Sequence, residues 1–187
     1  MLWIAALGLG LVAGLAFRGS IDNLAHLHFR WPWLIVAVLF VRAAVVVTPL
    51  SRVDGVQYVY LAALTVLVAW ALWQVEMVRG MWLVAVGSVL NLVAIAANGA
   101  RMPVAPELAG SLVHSGHVGQ YTLITVDTNL GWLADWIALP GLRHLLAEAY
   151  SPGDVIVAVG LGLVVALAMR SQAESAETRP RIVSDPP

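Results

Sequence analysis

The chain reads as an all-α membrane protein, with about five transmembrane helices and a long membrane-associated outer loop between the fourth and fifth. Three observations predict this class. Of 187 residues, 60% are hydrophobic and 11% charged, and mean hydropathy is +0.86, more apolar surface than a soluble core of this length can hide. Five apolar stretches approach the roughly 20 residues needed to cross about 30 Å of hydrocarbon. Tryptophans gather near the ends of those stretches and in the long loop (Trp3, Trp31, Trp33, Trp70, Trp73, Trp82, Trp132 and Trp136), as in an interfacial belt.

The first stretch is Met1 to Phe17. It lacks the basic residues that precede the apolar core of a signal peptide, and Arg18 follows it, so a retained first helix is expected. The others run from Trp33 to Leu50, Val56 to Trp73, Met81 to Ala97 and Val155 to Met169. Residues 18–32 mix apolar and polar groups, and an amphipathic segment on the inner surface is expected. Residues 1–170 form a single transmembrane domain on this reading. The tail from Ser171 to Pro187 is polar and proline-bearing, and is expected to be a disordered cytoplasmic segment.

All ten basic residues are arginine. With the N-terminus outside, six arginines fall on the cytoplasmic side (Arg18, Arg30, Arg79, Arg170, Arg179, Arg181) and three outside (Arg52, Arg101, Arg143). That asymmetry predicts an outer N-terminus and a cytoplasmic C-terminus. A net charge of −1 gives no basis for nucleic-acid binding, and the absence of cysteine excludes disulfides, thiolate catalysis and cysteine metal sites. No cofactor is expected. The expected partners are membrane lipids and a membrane-protein subunit.

The candidate site residues lie in two groups. Arg42 is the one charge well inside a predicted span, which makes it a functional candidate. Ser88, Asn91 and Asn98 share one face of the fourth helix, interrupted by Ile95. Arg42 and Asn91 are predicted at similar depth, either as a polar site or as interhelical packing. Beyond that helix, Asn98 and Arg101 either anchor a lipid phosphate or carboxylate or cap the helix end. His114, His117 and His144 do not make a metal-ligand pattern, and loop histidines are expected.

The second group is Asp135 and Asp154, the candidate catalytic pair. Asp135 sits in an apolar run, Leu-Ala-Asp-Trp-Ile, where a lone carboxylate is costly. Asp154 opens the last helix after Ser-Pro-Gly, where an ordinary N-cap explains it equally well. Two carboxylates meeting at a low-dielectric edge can share a proton and act as acid and base toward water.

The segments Leu24-Ala-His-Leu-His-Phe-Arg-Trp-Pro-Trp33 and Asn98-Gly-Ala-Arg-Met-Pro-Val104, with those around Asp135 and Asp154, resemble a bacterial membrane-protein family known as domain of unknown function 5317. The resemblance covers most of the chain and implies a bacterial inner-membrane location without an activity. A local similarity to lipoprotein signal peptidases covers about forty residues by the order of their motifs. It rests on Asp135-Trp-Ile and Gly153-Asp-Val-Ile, and implies an aspartate-dyad hydrolase. Their Asn-x-x-Asp-Arg motif corresponds only to Asn98 and Arg101, without its aspartate. The expected function is thus a lipid- or partner-binding membrane component with a polar outer site built from Asn98, Arg101, Asp135 and Asp154. The alternative is the aspartate hydrolase. Five helices without repeats make a poor self-contained transporter.

Overall fold

In the computed structural model, residues 2–47, 53, 55–109, 120–138 and 149–177 are described, and helix dominates them. The helices are α1 (Leu2–Ala16), α2 (Trp33–Val47), α3 (Val56–Gln74), α4 (Met81–Ala97) and α5 (Pro152–Glu177). By length and composition, two segments are able to cross a membrane: α3, and Pro152–Arg170 of α5. This is fewer than the five expected spans. α1 and α4 are apolar but only 15 and 17 residues long, or about 22–26 Å at 1.5 Å per residue.

The local reasons for those short lengths are visible in the backbone. After α1, Arg18 takes φ 62°, and after α4, Gly99 and Ala100 take φ 67° and 63°. Consecutive left-handed residues turn the chain out of a right-handed helix. The described part of α2 ends at Val47, and residues 48–50 of the expected span lie outside the described residues. α5 runs past the expected boundary at Arg170 to Glu177. Residues 178–187, the rest of the expected disordered tail, are not among those described.

Packing is organised around α5, through two seams of small residues. A Cβ on Gly10 would collide with the Gly162 backbone, which sets the approach of α1 to α5. A Cβ on Gly87 would meet Gly153 and Val157, and one on Gly160 would meet Val84, which brings α4 equally close on another side. Small residues permit such backbone approach between helices. The pairings show that α1 runs parallel to α5 and α4 antiparallel to it. The main apolar cluster joins Trp70, Ala71, Met81, Val84, Val157 and Val164.

At this end of the bundle, residues 18–32 wrap beneath the helices. A 3-10 turn, Ile21–His26, is capped by Ser20, whose side chain accepts from the Asp22 N–H. Asn23 Nδ2 donates to the Met169 carbonyl at 2.6 Å. Gln74 is fully buried. It accepts from the Arg30 N–H at 3.1 Å and donates to the Arg30 carbonyl at 2.8 Å. Trp70 Nε1 donates to the same carbonyl at 2.7 Å.

The described parts of the long loop form a cap at the opposite end. β1 (Met102–Val104) pairs in parallel with β2 (Tyr121–Leu123), and on its other edge bridges in parallel to Asp135. β3 (Ile137–Ala138) pairs antiparallel with β4 (Ala149–Tyr150), which leads directly into α5.

Candidate functional site

β1 is the central strand of the cap, and it fixes Asp135 by both backbone groups. The Asp135 N–H donates to the Pro103 carbonyl at 2.8 Å, and its carbonyl accepts from the Ala105 N–H at 3.0 Å. Pro103 has no N–H to offer, but its carbonyl is available to a neighbouring chain. The Asp135 side chain then points into the protein. The residue is 4% exposed, and its Oδ1 is buried with no hydrogen-bond partner among the described residues. Burial first, and then the negative charge of Asp154, push its pKa up to about 8. At neutral pH Asp135 therefore holds a proton.

Asp154 is held quite differently. The N-cap of α5 is Ser151 rather than Asp154, a correction that follows from the hydrogen bonds. Ser151 Oγ accepts from the Asp154 N–H at 3.0 Å, and Asp154 Oδ2 accepts from the Ser151 N–H at 3.1 Å. These are the two reciprocal bonds of a capping box. Asn91 of α4 completes a ring: its Nδ2 donates to Asp154 Oδ1 at 2.8 Å, and its Oδ1 accepts from Ser151 Oγ at 2.8 Å. The absence of a side chain at Gly153 makes room for this, since a Cβ there would strike the Asn91 amide.

Both aspartates line one cavity of about 520 Å³, together with Ser88 and Asn91 on α4, and with Gln120 and Tyr121 beside β2. The structure thus gathers Asn91, Asp135 and Asp154 from the expected set. Asn98 and Arg101 are not among the lining residues. Asn98 ends α4 with non-helical torsions, φ −119° and ψ 40°, so the face shared by Ser88 and Asn91 does not extend to it. Its side chain instead clasps Asn129. Nδ2 donates to the Asn129 carbonyl at 2.8 Å, and Oδ1 accepts from the Asn129 N–H at 2.9 Å. Arg101 is exposed. The Arg42 side chain, His114, His117 and His144 lie outside the described residues.

Ser151 is the site residue that sequence reasoning missed. Its signal was present, since Ser151-Pro-Gly-Asp154 has the spacing of a capping box. Gln120 and Tyr121 carried no local signal, because a parallel pairing across residues outside the described set brings them to β1.

No curated protein and no solved structure matches the chain. A family of unknown function, DUF5317, matches residues 26–166, which include α2 to α4, the whole cap and most of α5. The chain belongs to that family.

Proposed function

We propose that the protein is an aspartate-dyad hydrolase of a bacterial inner membrane, acting at the outer face on a membrane-resident substrate. The observation that carries this reading is the pairing of unlike carboxyls at one cavity. Asp135 has its pKa raised by burial and no hydrogen-bond partner at Oδ1 among the described residues, while Asp154 is oriented as an acceptor by Asn91 and Ser151. In the reaction, Asp154 takes a proton from water as the water oxygen bonds to a substrate carbonyl carbon. Asp135 gives its proton to the carbonyl oxygen. Collapse of the tetrahedral intermediate breaks the bond to the leaving amine or alcohol, which takes the proton from Asp154. The second hydroxyl proton returns to Asp135, and a carboxylic acid leaves.

A multi-pass arrangement, with N-terminus outside and C-terminus inside, belongs to the same proposal. It is supported by the apolar surfaces of the shorter helices, where Leu9 is 70% and Phe40 74% exposed, far more than water tolerates in a contiguous belt. In a chain with no cysteine, an impermeant thiol reagent applied to intact cells is expected to label Val126→Cys but not Ser175→Cys. Labelling of only the second would invert the topology.

The catalytic test uses fluorogenic acyl esters and amides with the purified protein in nanodiscs. Turnover is expected in the wild type, falling as pH rises above about 8, and absent in Asp135→Asn and Asp154→Asn. Wild-type inactivity, or turnover surviving either substitution, would remove the hydrolase. A non-catalytic lipid- or partner-binding role has one observation behind it. The hydrogen bonds of Asp154 already serve a helix cap, as a purely structural carboxylate would.

A further inference from the structure

The cavity that holds the aspartates extends well beyond them. Its walls follow one face of α3 through Tyr60, Leu64 and Leu67, and one face of α4 through Met81, Val84, Ser88, Asn91 and Ile95. From Met81 to Ile95 that is about 21 Å at 1.5 Å per residue. Its volume is about 520 Å³, and its length suits an extended hydrocarbon chain. Polarity is graded along it. Asp135, Asp154, Asn91 and Gln120 lie at the cap end, and Ile35, Trp70, Met81 and Leu161 at the other.

We infer that the cavity takes an amphiphile, with an uncharged hydrogen-bonding group at the aspartates and a hydrocarbon chain running between α3 and α4. Two observations choose this occupant. Asp135, Asp154, Asn91 and Gln120 put hydrogen-bonding groups together at the polar end, and only apolar groups and Trp70 meet the other. No arginine, lysine or histidine is among the described lining residues, so among these residues a phosphate head would meet the Asp154 carboxylate without a cation to offset it. The inference rests on the proposed site for where the head lies, and names the substrate class that the hydrolase would take.

The test is photo-crosslinking of the full chain in nanodiscs with two probes of equal chain length, each with a diazirine in the chain. One is a monoacylglycerol and the other a lysophosphatidic acid. The monoacylglycerol is expected to label cavity-facing positions such as Leu64, Leu67 and Val84, with the phosphate probe about tenfold weaker there. Excess unlabelled monoacylglycerol should suppress that labelling in the wild type, and Leu67→Trp should abolish it by filling the shaft. Equal labelling by both probes would overturn the inference, as would crosslinks confined to outward residues such as Leu9 and Phe40. Internal labelling of Asp135→Asn, together with a wild type that hydrolyses nothing, would uphold the inference while removing the hydrolase. Turnover without internal labelling would overturn the inference alone.

Discussion

The two ends of the bundle bury polar groups in opposite ways. At one end Gln74 is fully enclosed and spends both its donor and its acceptor on the Arg30 backbone. At the other, Asp135 is nearly as enclosed and leaves a carboxyl oxygen without a partner among the described residues. The first arrangement is how buried polarity stabilises a fold. The second is expensive, and such departures from local consistency are expected where a structure serves function. The contrast sets Gln74 in the scaffold and marks Asp135 as the candidate for function.

The sharpest way to break this comparison is to compare the signs of two substitutions. Asp135 has its pKa raised from 3.8 in the unfolded chain to about 8 in the folded one. The folded state keeps a proton that the unfolded state releases, so this residue's contribution to stability falls as pH rises between those values. Relative to the wild type, Asp135→Asn is expected to gain on the order of a few kcal/mol between pH 4 and pH 9. Parallel pH–stability curves for the two proteins would show that Asp135 is not an uncompensated buried acid.

Gln74→Leu should move the other way at every pH. It leaves the Arg30 N–H without its partner and is expected to cost about 2 kcal/mol, read by thermal unfolding in detergent. Asn91→Leu removes a donor from Asp154 and an acceptor from Ser151, with an expected cost of about 1–2 kcal/mol. The smallest effect is predicted for Ser151→Ala, about 1 kcal/mol for the lost cap. Should Ser151→Ala prove costlier than Gln74→Leu, the ring around Asp154 would be the firmer scaffold of the two, and the comparison would reverse.

What was legible in the sequence follows the range of the interactions involved. The apolar stretches gave α3 and α4 nearly residue for residue, because a helix is built from contacts within a few positions. Asp135 stood out for the same reason, as one carboxylate among apolar neighbours. The pairing of β1 with β2 and Asp135 was not legible, since parallel strands join residues far apart with no shared local pattern. Asn98 misled for a smaller reason. Helical periodicity placed it on the face of Asn91, but the periodicity stops where the backbone leaves the helix. Ser151 was hidden behind Asp154, the more conspicuous member of the same capping box.

The bridge from Val104 to Asp135 also bears on how the protein assembles. A contact between residues so distant in the chain forms only after the intervening segment has been drawn together, and loop closure of that kind comes late. Until it closes, Asp135 is solvated and gives up its proton as an ordinary aspartate does. Between about pH 4 and pH 8, completing the cap therefore takes up a proton. Refolding is expected to slow as pH rises toward 8, with Asp135→Asn insensitive to the change, so that acidity limits the birth of the site as well as its use.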